Sequence, residues 1–291
     1  MDDHEGLAAR FEAHRDHLLG VAYRMLGSLT EAEDAVQEAW IHVGRAGGSG
    51  VENVGGWLTT IVARVCLDML RARKAQREAP LPERGPEAIE RREGGTDPER
   101  EALLADSVGL ALLVVLGALA PAERIAFVLH DLFDVPFEEI APIVGRSPDA
   151  TRQLASRARR RVQGAPVVPE AELAEHRKIV AAFLSAMRHA DFDGLLAVLD
   201  PDVAVRQDGP HGAAREVRGA ETWAKGAMAF RVHARFVCPA LVDGAAGLVF
   251  APRGRLTRAL RFTFRDGRIA EVDVIADPAR VRALEVAVLE A

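Results

Sequence analysis

The apolar positions of the first 78 residues recur at helical spacing. In Glu31 to Val43 they fall at Ala32, Val36, Ala39, Trp40 and Val43, which predicts an amphipathic helix. A longer helix is expected from about Trp57, where Trp57, Ile61, Val65 and Met69 recur every four residues. Farther on, Val108 to Ala120 is almost wholly apolar and stops at Pro121, which reads as a buried helix. A helix through Glu123 to Leu132 follows, then two short helices parted by Gly145. Beyond residue 170 the pattern changes. Glu172 to His189 is amphipathic around Ile179, Phe183 and Ala186, and Phe192 to Leu199 continues as helix. After Pro201 strands are expected at Val203 to Gln207, Val232 to Val242, Gly247 to Ala251, Leu256 to Phe264 and Ile269 to Ile275, with one helix from Ala220 to Phe230. Asp266-Gly267 between the last two strands is a tight hairpin signal.

Two segments lack such periodicity. Ala79 to Glu101 is rich in Pro, Gly and charge, and Gly164 to Pro169 is a shorter hinge. They divide the chain into domains at 1–78, 102–164 and 172–291, with linkers at 79–101 and 165–171. The last block, a few helices on one curved antiparallel sheet, is an α+β arrangement.

The sharpest local signal runs from Glu138 to Arg161. Gly145 suits a turn, Ser147 an N-cap, Pro148 the first helical position and Asp149 the positive helix end. On a wheel of about 100° per residue, Thr151, Leu154, Ala155, Ala158 and Val162 share one face, while Arg152, Gln153, Ser156, Arg157 and Arg160 cover the other. A helix seated by its small residues presents a basic, amide-bearing side to a DNA major groove. Arg159 to Arg161 look like phosphate contacts, and an exposed surface helix is the bland alternative.

Charge qualifies this picture. The chain of 291 residues carries a net charge of −6, which taken as one number speaks against polyanion binding. Yet Arg64 to Arg77 holds five basic residues against Asp68 alone, and Gly145 to Gly164 holds six against Asp149. Two basic patches on an acidic chain imply polyanion contact of restricted geometry. Cys66 and Cys238, far apart and each in an apolar run, read as buried free thiols of a reducing compartment rather than a disulfide framework or zinc site. The acidic Met1 to Glu5 is unlike a secretory leader, and the apolar run before Pro121 falls short of the ~20 residues of a membrane span, so a cytoplasmic protein without membrane contact is expected.

Several motifs in series carry a family resemblance. Phe11 to Leu18, Ala22 to Ser28, Glu31 to Trp40 and Trp57 to Arg71 resemble region two of RNA polymerase sigma factors. Leu119 to Arg124, followed by the helix-turn-helix, resembles region four, so the likeness covers roughly residues 7–164. The remainder resembles the SnoaL-like branch of the ketosteroid-isomerase-like fold. A sigma factor so extended is similar to the SigJ-type subgroup of extracytoplasmic-function sigma factors. Its Trp-Leu-Pro-Glu-Pro linker motif survives as Pro80, Leu81, Pro82 and Glu83 without the tryptophan. Its Asn-Pro-Asp-Lys-Leu stretch is matched by Asp277, Pro278, Ala279, Arg280 and Val281, and its glycine-rich loop only by Asp208 to Arg215.

The resemblance implies two all-α sigma domains, the second with a helix-turn-helix, followed by a SnoaL-like α+β cone. It implies core RNA polymerase and promoter DNA as partners, and no enzymatic activity, cofactor or metal. It places Asp34, Gln37 and Glu38 on the coiled coil of the large polymerase subunit. The local chemistry agrees, since Glu31, Asp34 and Glu38 form an acidic row opposite Val36, Trp40 and Val43. It places Thr60, Arg64, Arg71, Arg73 and Lys74 at the proximal promoter element, where strand capture needs cationic and pocket-forming groups. Trp57 reads as core, and Asp68 as the partner of a basic neighbour. Arg152, Gln153, Ser156, Arg157 and Arg160 fall at the distal element, and Pro80 to Glu83 with Asp277 and Pro278 at regulatory contacts.

For the last domain two readings compete. Relatives of this fold hold an Asp or His in a cone-shaped pocket as acid or base, and Asp208, His211, His233, Glu271 and Asp273 are candidates, Glu271 and Asp273 sharing one strand face. The alternative is regulation in cis, with a pocket that could take a small-molecule ligand; a sensor or residual isomerase- or cyclase-like enzyme stays open beside it.

Overall fold

In a computed structural model of the chain, residues 2–46, 51, 53–78, 109–208 and 215–289 are described. The linker motif Pro80 to Glu83 and His211 lie outside them. The chain forms two compact units. The first combines the N-terminal helices with Leu116–Arg159, the second combines residues 109–115 with Arg160–Ala291.

The first unit opens with helices α1 (Asp2–Leu26), α2 (Leu29–Ala46) and α3 (Val54–Glu78). Gly27, at φ +76°, ends α1 and returns its N–H to the Tyr23 carbonyl at 2.8 Å. The expected stripe on α2 is buried at Ala32, Val36, Ala39 and Val43, with Ala35 added. On α3 the stripe is rotated. Leu58, Val62 and Cys66 are fully buried and Val65 is buried as expected, whereas Trp57, Ile61 and Met69 are half-buried. The cause is crowding, since α3 meets α1 and α2 and also the later helices of the unit.

Helix α4 (Leu110–Ala118) is divided between the units after Val115, and α5 (Pro121–Phe127), with proline at its first position, opens the later helices of the first unit. A π-helical turn (Val128–Leu132) continues α5, and α6 (Phe137–Val144) and α7 (Pro148–Gln163) complete the helix-turn-helix. Gly145 caps α6 in the left-handed conformation at φ 69°. Ser147 Oγ accepts from the Ala150 N–H at 3.3 Å, the N-cap role expected of it.

The second unit holds α8 (Glu170–His189), α9 (Phe192–Val198), β1 (Leu199–Gln207), β2 (Arg215–Arg218) and α10 (Ala220–Ala229). A 3-10 helix (Phe230–Phe236) leads into β3 (Val237–Val242), β4 (Ala245–Phe250), β5 (Arg258–Arg265) and β6 (Arg268–Ile275), then α11 (Pro278–Ala283) and β7 (Val286–Val288). The sheet order is β2-β1-β6-β5-β4-β3-β7, antiparallel except between β1 and β6. The expected strand over Val232 to Val242 therefore starts five residues late. Val237 already pairs with Phe250, the last residue of β4, so residues before it have no strand to pair with and coil instead. Asp266 (φ 50°) and Gly267 (φ 71°) form the hairpin turn, both in the left-handed region that a two-residue turn of this kind requires.

Strand alternation separates two apolar layers. Val205, Leu241, Leu248, Phe262, Val272 and Val274 face the helices, packed on Leu173, Val180, Phe183, Met187, Leu195 and Ala224. The intervening residues Ala240, Val242, Val249 and Ala259 point to the other side, where Leu110 and Val114 cover them. The hinge at Gly164 is held to this unit: a Cβ there would lie 2.4 Å from that of Ala287, and the Val167 N–H donates to Gly244 at 3.0 Å. Among the described residues, no helix is long and apolar enough to cross a membrane.

Candidate polymerase- and DNA-binding surfaces

The acidic row on α2 is divided. Asp34, Gln37 and Glu38 are exposed, opposite buried Val36, Ala39 and Val43. Glu31, at the head of the row, instead bonds the guanidinium of Arg73 on α3, with side-chain exposures of 30% and 23%. Arg73 also reaches the Leu26 carbonyl at 3.4 Å, so it clips α3 to the α1–α2 junction. Ile41, 54% exposed and one turn beyond Gln37 and Glu38, adds an apolar side chain to the open part of this face.

Along α3, Thr60 is half-buried and donates its hydroxyl to Gly56 at 3.0 Å, while Arg64, Arg71 and Lys74 are exposed. Asp68 lies 3.7 Å from Arg71, the basic neighbour expected for it. Trp57 is half-buried rather than a core residue.

On α7 the wheel is matched by burial. Thr151, Ala155 and Ala158 are buried, and Arg152, Gln153, Arg157 and Arg160 are exposed, with Ser156 half-buried. Three arginines of this helix already have carboxylate partners. Arg152 pairs with Asp149 at 2.7 Å and lies over the Phe137 ring, 5.2 Å from its centroid. Arg157 donates to Glu123 at 3.0 Å and Arg159 to Asp131 at 2.7 Å, and both carboxylates are well covered, at 13% and 16% exposure. Arg157 and Arg159 thus anchor α7 to α5 and the π-helical turn. The pairing partners are 34 and 28 residues away, beyond any local pattern.

In the second unit the candidate acids do not converge. Glu271 and Asp273 alternate with Val272 and Val274, which fill the helix-covered core, so both carboxylates stand on the opposite face. There Asp273 accepts from Arg261 at 2.8 Å and Glu271 lies 3.6 Å from Arg206. Asp208 is structural: it accepts from the Ala276 and Asp277 N–H groups at 2.5 and 3.1 Å and from Arg280 at 3.1 Å. His233 is exposed, its ring centroid 5.0 Å from that of Phe230. Asp277 caps α11 by accepting from Ala279 and Arg280, and Pro278 takes the first helical position. Burial pushes the thiols of Cys66 and Cys238 up to about 12.

Helical sigma-type domains, the second with a helix-turn-helix, followed by a SnoaL-like α+β domain, define a class of transcription initiation factor. Residues 10–76 match the family described as Sigma-70 region 2, and residues 109–162 match Sigma-70, region 4. SigI of Mycobacterium tuberculosis, described as a probable ECF RNA polymerase sigma factor, is 35% identical over 280 residues, covering 96% of both chains. The ECF RNA polymerase sigma factor SigJ of the same organism is 35% identical over 290 residues, covering 93% of this chain and 91% of that one. The SigJ crystal structure covers 93% of this chain and 96% of its own, at 34% identity and a TM-score of 0.45. The chain belongs to the extracytoplasmic-function RNA polymerase sigma factors.

Proposed function

We propose that this sigma factor docks on core RNA polymerase through Asp34, Gln37 and Glu38 and reads the distal promoter element with the exposed face of α7. The observation that carries this is the division of both helices into a fully buried small or aliphatic side and an open side of the required charge. Within the α7 set, Gln153 and Arg160 are the groups assigned to DNA alone, while Arg157 also positions the helix. Arg64, Arg71 and Lys74 serve the proximal element with Thr60; Arg73 supports them from its place against Glu31. Reversing charge at Asp34 and Glu38 together should weaken core-polymerase binding at least tenfold with the fold intact, and an unchanged affinity would remove this assignment.

The SnoaL-like domain acts in cis as a regulator rather than as an enzyme. Supporting this, Glu271 and Asp273 are ion-paired on the face away from the helix-covered core, and Asp208 is consumed by backbone N–H groups. Asp277 and Pro278 contribute by shaping α11 and by tying it to Asp208 at the end of β1. A cytoplasmic location follows from this reading, since the proposed partner is core RNA polymerase. A ligand-sensing role for the same domain is favoured by the Trp223 indole N–H, which is buried without an acceptor among the described residues. A ligand with an apolar body and one acceptor would quench or shift Trp223 fluorescence, and Trp223→Phe would abolish the response.

A further inference from the structure

A third basic segment lies in the second unit, apart from those on α3 and α7. From Phe230 to Arg258 the chain carries five arginines and His233 against Asp243 alone. The fold gathers this charge at one end of the β3–β4 hairpin. Val237 opens β3 opposite Phe250, the last residue of β4, and Phe250 in turn pairs with Arg258 on β5. Arg231, His233 and Arg235 of the preceding 3-10 helix are exposed there, as is Arg255 in the turn before β5. Arg188 of α8, also exposed, donates to the Val237 carbonyl at 2.9 Å. Asp243 stands at the far end of the hairpin, 3.6 Å from Arg261.

Aromatic rings hold two of these cations in place. Arg235 lies over Phe236 at 4.7 Å and Arg258 over Phe230 at 5.5 Å, and Phe250 meets Phe230 edge to face at 5.1 Å. Such stacking orients a guanidinium without neutralising it. Among the described residues, Arg188, Arg231, Arg235, Arg255 and Arg258 have no carboxylate at ion-pair distance. On β1, β2 and β5, by contrast, Arg206, Arg218 and Arg261 are matched to Glu271, Glu216 and Asp273. Gathered cations without counter-charge repel one another, and a bound polyanion relieves that repulsion.

The path of the chain says which polyanion. The end of α7, from Arg160, belongs to this same unit, and a Cβ on Gly164 would lie 2.4 Å from that of Ala287. The Val167 N–H donates to Gly244 at the near end of the hairpin, and the six residues of β3 lead from there to the patch. At 3.2–3.4 Å per residue that is roughly 20 Å, less than the ~34 Å of one turn of B-DNA. We infer that Arg188, Arg231, Arg235 and Arg255 bind the phosphate backbone of promoter DNA beside the distal element. The SnoaL-like domain is then itself a DNA-contacting part of the sigma factor. This inference rests on the distal-element reading of α7. Contacts to phosphate carry no sequence information, so the patch adds affinity and salt dependence without a preference for flanking bases.

Holoenzyme assembled from core polymerase and the full chain, titrated with promoter duplex over a salt series, tests it. Arg231→Glu, Arg235→Glu and Arg255→Glu together should weaken binding at least tenfold. The slope of log affinity against log salt should fall by about 3, near 0.9 per lost phosphate contact. Arg231→Gln alone, a milder change at an exposed site, should lower it by about 1. Methylphosphonate linkages, which are uncharged, placed within one helical turn of the distal element should weaken the wild type severalfold and leave the triple variant unchanged. Unaltered salt slopes in both variants, or equal losses on native and methylphosphonate DNA, would overturn the DNA contact alone. Weaker assembly of the triple variant with core polymerase would also overturn it, because the patch would then serve a protein partner. Wild-type binding that is indifferent to the distal sequence and to Gln153→Ala would overturn the α7 reading and this inference with it.

Discussion

The guanidinium of Arg124 donates through Nη1 to the backbone carbonyl of Met25 at 2.7 Å, across 99 residues of sequence, and Arg124 is only 5% exposed. A charged donor on a neutral carbonyl contributes about 1.5–3 kcal/mol, and its removal leaves a covered acceptor unmet. Arg124→Met keeps the apolar stem and deletes the donor. Urea unfolding of the full chain should show the first unit destabilised by roughly that amount; an unchanged midpoint would mean that the contact carries no net energy.

The α7 arginines should separate by role. Arg160→Ala should weaken all promoters alike and lower the slope of log affinity against log salt by about 1. Gln153→Ala should cost ~1–3 kcal/mol at one base pair and little elsewhere. Arg157→Ala should both weaken binding and reduce thermal stability, because it removes the ion pair with the covered Glu123 carboxylate. Filter binding over a salt series, with melting of each variant, distinguishes the three.

On α2, stability and docking should come apart. Glu31→Ala releases Arg73 and should lower stability by about 1 kcal/mol, a little above an ordinary surface pair because both side chains are partly covered. Its effect on polymerase affinity should be small beside that of the Asp34 and Glu38 reversal. Calorimetry of the variants and competition binding to core polymerase test the split.

His17 on α1, whose ring packs edge to face on Phe133 with centroids 5.3 Å apart and lies 3.3 Å from Thr59 Oγ1, gives the contact between the helices of the two regions a pH dependence. Burial first, then the charges of His14 and Arg24, hold its pKa below the ordinary 6.5. The charged and titratable groups around it are His14 and Arg24 on α1 and Asp134 and Glu139, which line the same pocket as His17, Asn53 and Thr59. The folded contact favours the neutral ring, so its contribution to stability is complete above 6.5 and falls as pH drops through 6.5 toward the depressed value. Amide hydrogen exchange over Asn53 to Thr60, corrected for intrinsic rates, should accelerate below pH 6.5 in the wild type and lose that pH dependence in His17→Gln. Equal behaviour of the two would exclude His17 as the source.

What was legible in the sequence was what short-range chemistry dictates. Gly145, Ser147 and Pro148 give the helix-turn-helix its stop and start, and Asp266-Gly267 gives the last hairpin its turn. Less legible was anything decided by a second neighbour. The α3 stripe is displaced because helices from both halves of the first unit crowd it, and Val232 to Phe236 coils because β4 ends at Phe250. The pairs Glu31–Arg73 and Glu123–Arg157, separated by 42 and 34 residues, turn three expected binding residues, Glu31, Arg73 and Arg157, into structural ones as well. For the last domain, the period-two alternation correctly put Glu271 and Asp273 on one face, but only the topology shows that it faces away from the helices.

Run-off transcription with purified core RNA polymerase tests the central claim most directly. A promoter library should yield transcripts from a defined subset of templates with the wild-type chain. Yield should fall sharply when Asp34 and Glu38 are reversed, and the selected distal sequence should change when Gln153 is substituted. Transcription that is independent of the added chain, or equal from every template, would contradict the account.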